Sequence, residues 1–360
     1  MQKYILAILF FVLITKTNGG PFIPSRSLSS YPKIENKVKF IFSPDMNTSY
    51  SINLGSMAEM VHFPNFNKSI PTIIYIRGFL GSGEFDNSVE ELRSAYLLTK
   101  KENFVAVDWS AYSKIKIGIP YFDNIADLKT ICEKTAEQLK KIQSYRNFYL
   151  IGHSLGAQCA GLVGRHLKKI SNNEFIIPRI YALDPAGPHF RRDNGYFESV
   201  TKSDAAYVQV IHTNYGLYGL DRSTGHSDFY PNNGMKQPEC LTNMCSHRFA
   251  WVVFQKTVIQ EGLFTAQKCD SFNKFIGGDC ESNEVSYMGY SRNGTLPIGN
   301  FYLFTDFSGS RSVDFKDRTF NGTFGEHVRK TVGISLHILP ILKRKVENFR
   351  SRLIDSKDQN

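Results

Sequence analysis

The sequence predicts an α/β fold in which a central, mostly parallel sheet is flanked by helices. Three observations carry that prediction. Short apolar runs alternate with helical segments along most of the chain, the pattern left by strands joined through helical crossovers. The runs are nearly continuous in apolar residues, as strands covered on both faces are. One of them, 147–151, leads through Gly152-His153-Ser154-Leu155-Gly156 into a stretch of small residues. Such a strand–turn–helix junction lets two glycines bring strand and helix together around a serine.

In chain order, residues 37–43 and 49–54 read as an opening hairpin. Residues 72–76, 104–107, 148–151, 179–183 and 207–211 read as core strands. Between them 90–99 and 124–142 are helical, and in the second Ile125, Leu128, Cys132, Leu139 and Ile142 recur on one face. Residues 157–164, rich in Ala and Gly, open a helix behind Ser154. Crossovers between parallel strands are right-handed. No repeat or low-complexity linker interrupts the chain, so the expectation is one domain over 21–340, between a leader at 1–20 and a basic tail at 341–360.

The leader sets the compartment. Lys3 precedes an apolar run over 4–14, and small or polar residues follow to Asn18-Gly19-Gly20. A short apolar region behind a basic residue reads as a secretory signal, cleaved near Gly19 or Gly20. No later stretch suits a transmembrane anchor, so the mature chain is expected to be secreted and extracellular. The formal net charge is +10, with Lys3 and Lys16 in the leader. No nucleic-acid motif is present; the basic excess fits an anionic lipid or glycan surface, or a solvated basic surface with no partner. Nothing in the pattern speaks to an oligomeric state.

The chain has 6 cysteines, which in an exported protein are expected to pair. Cys240 with Cys245 and Cys269 with Cys280 are the natural pairs, being sequence neighbours in loops. Cys132 and Cys159 fall on predicted helices and either bridge them or stay as buried thiols. Sequons at Asn47, Asn67, Asn293 and Asn321 are candidate glycosylation sites.

A serine hydroxyl is a poor nucleophile until a base takes its proton, and the base needs an orienting carboxylate. Asp184 follows the run 179–183 directly before Pro185-Ala186-Gly187-Pro188. That is the C-terminal edge of the sheet, where parallel α/β sheets bind ligands, and the order serine, acid, histidine suits the architecture. The plain alternative is a turn aspartate before proline. The histidine stays open on these grounds: His212 ends the strand 207–211 and competes with His247, while His189, His226, His327 and His337 also follow Asp184.

Five strings occur in a fixed order: Gly152-His153-Ser154-Leu155-Gly156-Ala157, Ala182-Leu183-Asp184-Pro185-Ala186-Gly187-Pro188, Val210-Ile211-His212-Thr213-Asn214, Gly225-His226-Ser227-Asp228-Phe229-Tyr230-Pro231-Asn232 and Cys245-Ser246-His247. Together they resemble the pancreatic lipase family of the α/β-hydrolase fold, and within it the insect members and venom phospholipases A1. The resemblance runs from about residue 37 to 307. It implies that Ser154, Asp184 and His247 are catalytic, the histidine following the cysteine that closes the lid. His212 would then support the site from its strand end. The backbone N–H groups of Leu155 and Phe79 would form the oxyanion hole. Relatives usually carry histidine where this chain has Arg77, a change that alters local packing, adds a cation beside the ester, or is simply tolerated.

Only residues 241–244 stand between the lid cysteines, and the loop 212–226 is compact. Such shortening resembles the phospholipase A1 members, whose clefts admit polar headgroups. The family's calcium site is poorly matched: Glu198 and Asp204 are kept without a clear ligand set, so no metal and no cofactor is expected. Too few residues follow 307 for the family's second β-sandwich domain. The implied function is hydrolysis of lipid esters at a membrane or lipid–water interface, releasing the sn-1 fatty acid of a glycerophospholipid. Triacylglycerol hydrolysis is the alternative, and a non-catalytic lipid-binding or storage protein is a third reading that the intact triad disfavours. In the tail, Ile341, Leu342, Val346, Phe349 and Leu353 recur at helical spacing among Lys343, Arg344, Lys345, Arg350 and Arg352. That segment reads as a basic helix lying on anionic lipid, or as a surface helix packed on its own domain.

Overall fold

The computed structural model describes residues 31–79, 87–113, 121–142, 145, 147–191, 197–292, 294, 296–306, 309 and 312–313. The leader, the tail 341–360 and the sequons at Asn293 and Asn321 lie outside the described residues, whereas Asn47 and Asn67 are exposed.

Helix α1 (Tyr31–Lys37) leads into a hairpin of β1 (Lys39–Ser43) and β2 (Tyr50–Asn53). Strands and helices then alternate: β3 (Thr72–Ile76), α2 (Ser88–Thr99), β4 (Asn103–Asp108), α3 (Tyr121–Lys141), β5 (Phe148–His153), α4 (Leu155–Ile170), β6 (Arg179–Leu183), β7 (Tyr207–Ile211) and β8 (Ser227–Pro231). After α5 (Asn243–Ile259) come β9 (Phe264–Lys268), α6 (Phe272–Gly277), β10 (Val285–Met288), β11 (Gly299–Thr305) and β12 (Ser312–Val313). The strands lie in the order β10-β9-β11-β8-β7-β6-β5-β3-β4-β1-β2, with β12 beside β11. From β4 through β3, β5, β6, β7 and β8 to β11 every neighbouring pair is parallel. Antiparallel pairs occur toward the two ends of the sheet.

The continuous apolar runs have the cause inferred for them. In β3, Ile74 and Ile76 join a core shared with α3 and α4, while Ile73 and Tyr75 join a second core shared with α2 and α5. Successive side chains of a strand point to opposite faces, so burial on both faces demands apolar residues throughout. Truncating one of these side chains to alanine costs about 2–5 kcal/mol.

Strand β8 has no such run, and neither it nor β9–β12 nor α1 is predicted. Its first two side chains are polar and buried: Ser227 Oγ lies 2.6 Å from Tyr207 Oη, and Asp228 Oδ1 lies 2.8 Å from His212 Nε2. Hydropathy cannot register a strand whose buried face is satisfied by hydrogen bonds.

All six cysteines are paired. Cys240–Cys245 and Cys269–Cys280 bridge as loop neighbours, and Cys132–Cys159 joins α3 to α4. The third bridge settles the open alternative in favour of a tie between helices. It closes a sequence separation of 27, for which loop entropy predicts about 3–4 kcal/mol of stabilisation.

Candidate active site

Ser154 sits between β5 and α4 with φ 57° and ψ −121°, a strained conformation for a residue with a Cβ. The flanking glycines permit it. A Cβ on Gly152 would lie 2.1 Å from the Gly156 carbonyl oxygen, and one on Gly156 would lie 1.9 Å from that of Ile76. Neighbouring strands hold the turn: the Ser154 N–H donates to Leu183 O at 3.0 Å, and the Ala186 N–H donates to Ser154 O at 3.2 Å. The serine is thus locked to the end of β6, the strand that delivers Asp184.

Asp184 is fully buried and also has a left-handed φ, 42°. Its Oδ1 accepts the backbone N–H groups of Thr213 at 2.9 Å and Asn214 at 3.1 Å, just past the end of β7. Its Oδ2 lies 2.5 Å from His247 Nδ1. Two backbone donors on one oxygen fix the carboxyl group in place and aim the other oxygen at the ring. Gly219 matters here, because a Cβ on it would stand 2.5 Å from Asp184 Oδ1.

His247 comes from the start of α5. Thr242 caps that helix, its hydroxyl accepting the Cys245 N–H at 3.1 Å, and the Cys240–Cys245 bridge closes the loop in front. The His247 carbonyl accepts from His153 Nε2 at 3.0 Å and from Thr213 Oγ1 at 3.4 Å. The Tyr218 ring meets the imidazole edge-on at 5.7 Å. Burial raises the Tyr218 phenol above its usual value, so this neighbour is neutral. With Nδ1 committed to Asp184, Nε2 is the ring nitrogen left to exchange a proton with a hydroxyl.

His212 is not brought to Asp184. Its Nε2 pairs with Asp228 Oδ1 at 2.8 Å, and its ring stacks on Tyr230 with centroids 4.5 Å apart and planes 6° from parallel. Its strand end supports the site through the next two residues, whose N–H groups hold Asp184.

Leu155 is the first residue of α4, and Phe79 lies half-buried beyond β3. Gly78 brings that segment close: a Cβ there would lie 2.9 Å from Ser154 Cβ. Arg77 is buried, with Nη2 3.5 Å from Asp108 Oδ1 and 3.4 Å from Ser113 Oγ. Its carbonyl accepts the Trp109 indole N–H at 3.1 Å. The guanidinium is therefore tethered to the end of β4, a partner that the substitution alone does not reveal.

His153, Thr213 and Asn214 lie in the quoted strings without an assigned role, Tyr218 and Gly219 lie outside them, and all five touch the site. Their contributions are backbone donors, clearance or packing, roles that residue type alone does not announce.

A family model described as Lipase matches residues 17–308. The chain is 33% identical over 285 residues to a protein named probable phospholipase A1 magnifin from Vespa magnifica, covering 72% of this chain and 82% of that one. It is 28% identical over 269 residues to pancreatic lipase-related protein 2 of Cavia porcellus, covering 71% of this chain and 59% of that one. Over 229 residues it is 32% identical to lipase member H of Mus musculus, covering 61% and 49%. The chain spans less than two thirds of the length of these two mammalian proteins.

Proposed function

Because the chain belongs to the pancreatic lipase family, we propose that it is a secreted serine hydrolase of lipid carboxylic esters, acting as a phospholipase A1. The observation that carries the chemistry is the 2.5 Å contact of His247 Nδ1 with buried Asp184, which follows the strand whose end also holds Ser154 in its turn. Ser154 Oγ attacks the acyl carbonyl while His247 Nε2 takes its proton. The backbone N–H groups of Leu155 and Phe79 receive the oxyanion. The imidazolium, stabilised by Asp184, returns the proton to the departing alkoxide of the lysolipid, leaving an acyl-serine. Water repeats the sequence in reverse roles and frees the fatty acid.

The substrate reading rests on the rim of the site. Leu241 is 86% exposed and Met244 38% in the loop between the lid cysteines, and Leu217 and Met235 are 44% exposed on neighbouring segments. Asn214 ties two of these segments together, its Nδ2 donating to Met235 O at 3.1 Å and its carbonyl accepting the Leu217 N–H at 3.1 Å. Apolar side chains around an otherwise polar site suit a lipid–water interface. A loop as short as 241–244 supports a cleft that admits bulky polar headgroups, in keeping with the similarity to the wasp protein named for phospholipase A1.

Purified protein assayed side by side on phosphatidylcholine, galactolipid and triglyceride tests the reading. Expected products are the sn-1 fatty acid and the 2-acyl lysophospholipid, with little activation on forming an interface. Predominant triglyceride cleavage would favour a neutral lipase instead. The leader predicts export, checked by sequencing the N-terminus of the secreted protein. The basic tail predicts salt-sensitive adsorption to anionic vesicles that truncation after Pro340 abolishes without changing turnover of a soluble short-chain ester.

A further inference from the structure

The segment 197–206 packs on the flank of α4, the helix that begins next to Ser154, and carries a fully buried carboxylate, Asp204. Arg165 of α4 meets both of its oxygens, Nε to Oδ1 at 2.9 Å and Nη2 to Oδ2 at 2.9 Å. The same guanidinium donates from Nη2 to the Ser199 carbonyl at 2.8 Å and pairs through Nη1 with Glu198. The contact has no slack: a Cβ on Gly164 would lie 2.1 Å from the Asp204 carbonyl oxygen. Gln158, also on α4, links this segment to the turn after Asp184. Its Oε1 accepts the Val200 N–H at 2.7 Å and its Nε2 donates to Ala186 O at 2.6 Å.

A calcium ion at Glu198 and Asp204 would need about six to eight oxygens at roughly 2.3–2.6 Å. Here both Asp204 oxygens, the Ser199 carbonyl and Glu198 are engaged by one guanidinium. No group of three or more His, Cys, Asp or Glu among the described residues stands where it could hold a metal. The residues present do not fit the ion. We propose that Arg165 is a built-in cation that takes the structural place of a divalent metal, clamping segment 197–206 to the helix behind Ser154. A planar fork suits this task, because it satisfies a carboxylate bidentately and still reaches a carbonyl. Burial raises the Asp204 carboxyl above its ordinary value, against the pull of Arg165 and the Thr201 N–H. Such a group is costly to leave without a cation.

Thermal unfolding of the full chain with calcium chloride or with EDTA tests the clamp, and metal titration calorimetry adds a second readout. The wild-type midpoint is expected to be the same in both solutions. Arg165→Met should lower it by about 5–15 °C, and calcium, now facing freed oxygens, should restore part of the loss. Arg165→Lys should fall between them and stay indifferent to calcium. An Arg165→Met protein as stable as wild type would overturn the proposal, as would a wild type stabilised by calcium or weakened by EDTA. Should Arg165→Met not fold, Arg165→Lys decides. Folded and indifferent to calcium, it supports the clamp; calcium-dependent folding overturns it. These readouts are independent of ester hydrolysis, so the enzymatic reading can fail while this one stands.

Discussion

His247 meets Asp184 through Nδ1 at 2.5 Å, and His212 meets Asp228 through Nε2 at 2.8 Å. Both pairs are buried, and both histidines stand near the C-terminal edge of the same sheet. They differ in which nitrogen is spent and in what surrounds the other. His247 bonds through Nδ1, which leaves Nε2 as its second ring nitrogen. His212 is fully buried, lies flat on Tyr230 and leaves Nδ1 without a hydrogen-bond partner among the described residues. Asp228 also accepts the N–H groups of Thr224 at 3.0 Å and Gly225 at 2.9 Å, fixing the entry to β8. A histidine–carboxylate bond therefore does not by itself make a base; the free nitrogen must also have somewhere to pass a proton.

The sharpest way to break this comparison is to remove each histidine in turn. Ser154→Ala and His247→Ala should fold normally yet lose about four to six orders of magnitude in kcat on a soluble ester. His212→Ala should instead lose about 3–5 kcal/mol of unfolding free energy, read by denaturant titration, while its folded fraction keeps turnover within a few-fold. An inactive His212→Ala beside an active His247→Ala would mean that the base is assigned to the wrong pair.

A smaller perturbation acts on the carboxylate. Gly219→Ala pushes a methyl against Asp184 Oδ1, and an ångström of displacement at such a site costs about 100-fold in rate. Its kcat should fall with little change in KM for a short-chain ester. The matching change beside the other pair, Gly225→Ala, should lower the melting temperature and spare kcat.

The smallest effect concerns two histidines outside these pairs. Burial lowers the pKa of His189 from 6.5, and burial with Lys202 lowers that of His226. Each group is neutral in the fold at pH values where the unfolded chain already binds a proton. The stability they contribute is complete above about pH 6.5 and is lost as pH falls from there through the folded value. His189→Asn, which tolerates the local φ of 68°, should flatten that slope in a pH series of unfolding curves.

Much of the sheet was legible because its chemistry is local. Strands β3 to β7 announce themselves by being apolar on both faces, and the serine turn by glycines that allow backbones to touch. Asp184 was legible by its place after a core strand. The histidine was not, since His212 and His247 both suit the sheet edge and only the family resemblance ranked them. Strand β8 was missed because the first two of its buried side chains, Ser227 and Asp228, are polar and satisfied by Tyr207 and His212. Arg77 shows the same limit: its partner Asp108 sits on another strand, and no spacing rule joins them.

The sequence alone determined the alternation of strands and helices, the strained serine turn and the apolar walls of the sheet. Each follows from side-chain size, polarity or backbone freedom within a few residues. Tertiary structure decided which carboxylate each histidine meets, whether Cys132 finds Cys159, and that Arg165 lands on Asp204. Those choices join residues 63, 16, 27 and 39 positions apart. Their partners are selected by the register of parallel strands and the packing of helices, which no local pattern encodes.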